Sequence, residues 1–143
     1  MKRNWFSNFV PFEKPMQLAQ GLYFVTPEHY YQAMKSVDFN DQHYVSLARS
    51  PGEAKRRGRS IPLRPDWEEV KEAVMEYALR YKFQAVIWRK RLLNTGHEEI
   101  VEHNYWHDNI WGDCFCQRCK NIEGHNLLGK LLMKIRTELQ KEV

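Results

Sequence analysis

Apolar positions along this chain change their spacing several times, and each change predicts an element. Up to residue 25 short apolar runs alternate with turn formers: Trp5-Phe6, Phe9-Val10, Met16 to Leu18, then Gly21 and Leu22 to Val25. That alternation predicts two or three short strands, with Gln20-Gly21 as a hairpin turn. Thr26 followed by Pro27 then reads as an N-cap and first helical residue, because proline's missing N–H costs nothing there. A short helix is expected over 41–48. Ser50-Pro51-Gly52-Glu53 reads as a capping box opening another helix, which Gly58 would close.

The strongest periodicity lies between Asp66 and Gln84. Trp67, Val70, Val74, Tyr77 and Tyr81 recur at three- and four-residue steps and form one apolar stripe. A further helix is expected over 86–93, ended by Asn94-Thr95-Gly96, and a short strand over Glu99 to Glu102. Residues 103–124 lack regular periodicity. The last helix, 126–140, should bury Leu128, Leu131, Leu132, Ile135 and Leu139. Helices outweigh strands, which predicts a mostly helical α+β fold in a single domain spanning 1–143, with a small sheet built largely from the N-terminus.

Composition narrows the class. The chain of 143 residues is 43% hydrophobic and 13% aromatic, too rich in large rings for disorder. No run approaches the apolar length of a membrane span, and MKRNWFSNF has charge without the apolar core of a signal peptide. A soluble cytoplasmic protein is expected. The net charge of +4 merely tolerates a polyanionic partner. Its distribution adds Lys55, Arg56, Arg57, Arg59 and Arg64 in one short stretch, either a solvated basic face or a site for phosphates.

Candidate chemistry sits in three segments. In TPEHYYQAMK, residues 26–35, helical spacing places Glu28, Gln32 and Lys35 on one face with Tyr31 beside them, while Tyr30 and Met34 point elsewhere. Glu28 and Lys35 are separated by about 10.5 Å along the axis at 1.5 Å per residue. Two long side chains at that separation can approach opposite ends of a sugar-sized ligand. A solvated amphipathic helix has the same spacing. In Asp108-Asn109-Ile110-Trp111-Gly112-Asp113, two carboxylates flank a Trp-Gly pair in an irregular segment, which suits either a ligand-stacking surface or an aromatic-anchored turn. Glu123-Gly124-His125-Asn126 leads into the last helix, whose first N–H groups are either capped or available to a phosphate.

All three cysteines fall in Cys114-Phe-Cys116-Gln-Arg-Cys119. Three thiolates with His107 or His125 would make a tetrahedral zinc site acting as a structural clip. Reduced, packed thiols are the other reading.

Seven blocks then appear in order: FSNF at 6–9, EHYYQAMK at 28–35, SPGEAKRRGR at 50–59, DWEEVKEAVM at 66–75, LLNTG at 92–96, DNIWGD at 108–113 and NLLGKLLMKIR at 126–136. Together they resemble the NADAR, or YbiA-like, family over nearly the whole chain. The chain departs from the family pattern after Trp111-Gly112, where it inserts Asp113 to Glu123.

The resemblance implies hydrolysis of an N-glycosidic bond without a catalytic cofactor. The substrate would be ADP-ribosylated guanine in nucleic acid or nucleosides, or an aminouracil ribotide of riboflavin biosynthesis. By position it implies Glu28, Lys35 and Asp108 as catalytic groups. Trp111, Gly112 and Asn126, with Asn8, Tyr31 and Gln32, would bind substrate.

Cleaving a ribosyl–base bond builds positive charge at the anomeric carbon. A carboxylate there stabilises it, or a neutral Lys35 amine attacks it to form a Schiff base. The basic run favours the ADP-ribosylated substrate. A non-catalytic ADP-ribose-binding module is the reading from another class, and it has no need of both Glu28 and Lys35.

Overall fold

The computed structural model describes residues 5–18 and 21–142, so Gln20 of the expected hairpin turn lies outside the described residues. Helix dominates, and the chain divides into two compact units, residues 1–85 and 86–143.

The first unit begins with a two-stranded antiparallel hairpin, β1 (Met16–Gln17) and β2 (Tyr23–Phe24), with Met16 opposite Phe24. Gly21 lies between the strands with φ 78°, a backbone value that favours glycine. Helix α1 (Pro27–Ala33) starts where its caps predict: Thr26 Oγ1 accepts the His29 N–H at 3.1 Å. Helix α2 (Phe39–Ser46) starts two residues earlier than expected because Asp38 caps it, accepting the N–H groups of Asn40 and Asp41.

Helix α3 (Pro51–Gly58) is opened by Ser50 Oγ, which accepts from Glu53 N–H. The returning carboxylate of Glu53 accepts from Arg49 N–H, one residue before the cap. Helix α4 (Trp67–Lys82) is the longest element. Its buried residues are Trp67, Met75, Ala78, Leu79 and Lys82, which corrects the expected stripe. Tyr77 is 55% exposed, although its ring lies 5.6 Å from that of Tyr30.

Helix α1 is the hub of this unit. Helices α2, α3 and α4 and strand β2 all pack on it, and every one of its seven residues is buried. Around it Phe12, Met16, Leu22, Phe24, Tyr30, Ala33, Val45, Ala48, Ala54 and Ala78 form the core. The polar residues of this helix are therefore not a solvated face. Burying them is tolerable only if each finds a partner.

Two buried polar residues of this unit, one on α1 and one on α4, do so without any chemistry in view. His29 Nε2 lies 3.0 Å from Ala48 O, which can only accept, so Nε2 carries the proton. Its Nδ1, 2.7 Å from Thr26 Oγ1, then accepts from the hydroxyl. Lys82 on α4 is 1% exposed, and its ammonium donates to Trp5 O at 2.6 Å and Ser7 O at 3.1 Å. It clamps the loop that carries Asn8.

The second unit contains α5 (Val86–Asn94), β3 (His103–Asn104), β4 (Asp113–Cys114), a 3-10 turn at Gln117–Cys119 and α6 (Leu127–Lys141). The strand expected over 99–102 is absent. The two-residue parallel pair forms at 103–104 against 113–114, with Asp113 N–H donating to Glu102 O at 2.8 Å and Phe115 N–H to Asn104 O at 2.8 Å. Residues 100 and 102 are instead bound by a side chain: Asn126 Nδ2 donates to Ile100 O, and Asn126 Oδ1 accepts from Glu102 N–H.

Helix α6 buries Leu128, Leu132 and Ile135 as expected. Leu131 and Leu139 are only half-buried, and Arg136 is buried in their stead. Its guanidinium donates to Thr95 Oγ1 and Glu98 O. Among the described residues no helix is long and apolar enough to cross a membrane.

Candidate functional site in the first unit

Glu28 is 4% exposed and sits in the first turn of α1. Both oxygens of its carboxylate are addressed. Asn8 Nδ2 donates to Oε2, and Gln32 Nε2, one helical turn on, donates to Oε1 at 2.8 Å. The backbone completes the junction, Glu28 N–H donating to Asn8 O at 2.9 Å. Two amide donors fix the carboxylate plane. The sequence placed Glu28, Gln32 and Asn8 together through the motif resemblance, and the geometry unites them through direct hydrogen bonds.

Gln32 is held in turn by Gly58, which closes α3 where the sequence expects and has a second role. An added Cβ at Gly58 would lie 2.1 Å from Gln32 Oε1, 2.9 Å from its Cδ and 3.0 Å from its Cβ. Gly58 is the last residue of α3 and has no left-handed backbone. It ends the helix without a left-handed turn, and its missing side chain lets α3 close onto Gln32. Gln32 Oε1 is buried and has no hydrogen-bond partner among the described residues.

Lys35 follows α1 and is half-buried. Its backbone carbonyl accepts from Arg64 N–H at 2.7 Å, which ties it to the segment leading into α4. Burial pushes its amine below the ordinary lysine value. The Glu28 carboxylate opposes that shift, while the cations Arg59 and Lys55 reinforce it. A lysine in this setting is more often neutral than one in water.

The basic run divides accordingly. Arg57 pairs with Glu53 at 2.7 Å and donates to Tyr44 O, and Arg64 forms a two-pronged bridge to Asp66. Lys55 and Arg59 have no ion pair among the described residues and act on Lys35. Tyr31 is 7% exposed, its ring centroid 5.0 Å from that of Trp67.

The remaining expected residues belong to the second unit. Asp108 Oδ1 accepts the N–H groups of Ile110 and Trp111, at 3.1 and 2.9 Å, so its carboxylate shapes the turn that follows it. Asn104, 1% exposed and missed by the sequence reading, organises the same loop. It accepts from Trp106 and Asp108 N–H and donates to Asp108 O. A Cβ at Gly112 would lie 2.2 Å from Glu102 O, so this glycine serves a close backbone approach.

Helix α6 offers no open N-terminus. Leu127 N–H donates to Ile110 O and Leu128 N–H to Trp111 O, at 3.1 and 3.0 Å, so of the two readings of this segment the capped one holds. The Asn126 amide is engaged on both sides, as described above.

Three comparisons bear on this geometry. The NADAR domain model matches residues 1–140. N-glycosidase YbiA of Shigella flexneri is 42% identical over 140 residues, covering 96% of this chain and 82% of that protein. The riboflavin biosynthesis protein PYRR of Zea mays is 38% identical over 149 residues, covering 94% of this chain but 23% of that protein. The solution structure of Escherichia coli YbiA shares the fold, with a TM-score of 0.79 at 41% identity over 96% of this chain and 78% of that one.

Proposed function

The chain belongs to the NADAR domain family, and on that premise we propose that it is an N-glycosidase cleaving the bond between a ribose and a base, with ADP-ribosylated guanine as substrate. One observation carries the reading: a buried carboxylate, gripped on both oxygens by Asn8 and Gln32, acts electrostatically on a lysine whose amine is pushed towards neutrality by burial and two cations against the pull of that carboxylate. A helix meant only to bind ADP-ribose has no reason to bury a carboxylate or to depress an amine.

The chemistry follows from those two groups. As the ribosyl–base bond lengthens, positive charge develops at the anomeric carbon and negative charge on the base. The Glu28 carboxylate, already oriented, stabilises the first without reorganising. The neutral Lys35 nitrogen donates its lone pair to the anomeric carbon as the carbon–nitrogen bond breaks, and the departing base takes the proton that the newly bonded nitrogen sheds. Opening of the ribose ring leaves an iminium, which water hydrolyses to return the free amine and the sugar. Lys55 and Arg59, with no acidic partner of their own among the described residues, suit the phosphates of the substrate. No step is assigned to Asp108, Trp111, Gly112 or Asn126.

A second reading rests on the relative from Zea mays, which is named for riboflavin biosynthesis. On it, the ribosylated base is an aminouracil ribotide, and the same two residues act. Incubating the protein separately with an ADP-ribosylated guanosine oligonucleotide and with an aminouracil ribotide decides between them. Release of ADP-ribose from the first supports the proposal. Release of base from the second alone replaces it with the second reading. Tight ADP-ribose binding with no turnover of either would overturn N-glycosidase activity altogether.

A further inference from the structure

We propose that His107, Cys114, Cys116 and Cys119 bind one zinc ion, which closes the loop from β3 to the 3-10 turn as a structural clip. One ligand atom from each of the four residues lies within 4.8 Å of all the others. His107 Nδ1 stands 3.1 Å from Cys116 Sγ, 3.5 Å from Cys119 Sγ and 4.0 Å from Cys114 Sγ. With zinc–sulfur bonds of about 2.3 Å and zinc–nitrogen bonds of about 2.0–2.1 Å, a tetrahedron has nitrogen–sulfur edges of about 3.5–3.6 Å and sulfur–sulfur edges of about 3.8 Å. The observed separations straddle the first value, and a small contraction closes the set.

Polar N–H groups surround two of the sulfurs. His107 N–H and Cys116 N–H both donate to Cys114 Sγ, at 3.3 and 3.5 Å, and Asn109 Nδ2 donates to Cys119 Sγ at 3.4 Å. A neutral sulfur is a weak acceptor, whereas a metal-bound thiolate is commonly supported by such outer donors. Two of the cysteines, Cys114 and Cys119, are buried, which shields the metal–sulfur bonds. Three sulfurs and one imidazole fill a tetrahedron with protein ligands and leave no open position, so the ion is zinc in a structural and not a catalytic role. Binding releases the thiol protons and is therefore tighter at higher pH.

One contact must give. Arg118 Nη1 lies 3.3 Å from His107 Nε2. With Nδ1 on the metal, Nε2 carries the ring proton and two donors face each other. Arg118 is exposed and can swing away.

The ligands are woven into the turn described above. Asn109 Oδ1 accepts from Cys114 N–H at 2.9 Å, next to the Asp108 carboxylate that holds Ile110 and Trp111. Losing the ion should loosen that turn.

The test begins with full-length protein purified without chelator, measured by elemental analysis and native mass spectrometry. About one zinc per chain is expected, falling several-fold in His107→Ala and Cys119→Ser. Because either variant could lose its fold, apo wild-type protein is also titrated with cobalt. Intense visible bands of a tetrahedral site, together with thiolate-to-cobalt charge transfer, are expected, and zinc should bleach them. The proposal is overturned by a folded chain that takes up neither metal, by octahedral cobalt spectra, or by zinc content unchanged in both variants. Exclusive disulfide pairing among these cysteines under reducing conditions would overturn it equally.

Discussion

Gly58→Ala sets two forces of known sign against each other. On helix propensity alone the substitution should help, since alanine is favoured over glycine by about 1 kcal/mol within a helix and by less at its last residue. The new methyl would, however, meet Gln32 Oε1 at 2.1 Å, Cδ at 2.9 Å and Cβ at 3.0 Å. The outer two atoms could rotate away if Gln32 were free, but it is 3% exposed and its Cβ is fixed to the backbone of α1. Overpacking a buried contact costs roughly 1–3 kcal/mol. Pushing Gln32 off Glu28 removes a charge-assisted hydrogen bond of about 1.5–3 kcal/mol. These two costs are alternatives in part, because relaxing one incurs the other. The net expectation is a loss of about 1–3 kcal/mol in urea unfolding. Turnover should also fall by roughly 10- to 100-fold as the carboxylate loses its orientation. A double-mutant cycle isolates the cause: in a Gln32→Ala background the same Gly58→Ala change should be neutral or mildly stabilising, giving a coupling of about 0.5–3 kcal/mol. Finding Gly58→Ala as stable and as active as wild type would refute the idea that this glycine seats Gln32 on Glu28.

Five further outcomes are expected. Glu28→Gln should keep the far-UV spectrum of the wild type while kcat falls by roughly 10²–10³-fold, because neutralising the carboxylate removes its field at the anomeric carbon; full activity would exclude Glu28. The rate should rise with pH and level off below the ordinary lysine value of 10.5, since the lowered Lys35 pKa supplies neutral amine earlier. Borohydride added during turnover should trap the sugar on Lys35 in wild type and leave Lys35→Arg unlabelled. Stability should fall on acidification through the histidine range. Burial holds His29 below its ordinary 6.5, so the unfolded chain binds the proton first, and stability that is full above 6.5 is lost as pH drops towards the lowered value; urea midpoints across that range check it. Lys82→Met should weaken turnover by freeing the loop that carries Asn8, with a larger effect on kcat than on KM and with Lys82→Arg restoring part of it.

What the sequence determined by itself is local. Thr26 and Pro27 set the start of α1, Ser50 and Glu53 that of α3, and the spacing of Leu128, Leu132 and Ile135 fixed the inner face of α6. Such signals operate within a turn or two of helix, where propensity and capping act between near neighbours. The seven ordered blocks also brought Asn8, Glu28, Gln32 and Lys35 into one hypothesis. Tertiary structure alone decided the rest. Helix α1 reads as amphipathic, yet it is buried on all sides because α2, α3, α4 and β2 surround it. Gly58 reads as a helix stop and also provides clearance for a side chain 26 positions earlier in the chain. Whether the N–H groups opening α6 are capped or available is decided by the carbonyls of Ile110 and Trp111, which take them, and only folding turns His107, rather than His125, towards the three sulfurs. In each case the deciding partner is distant along the chain, and a local pattern carries no information about what tertiary packing will bring against it.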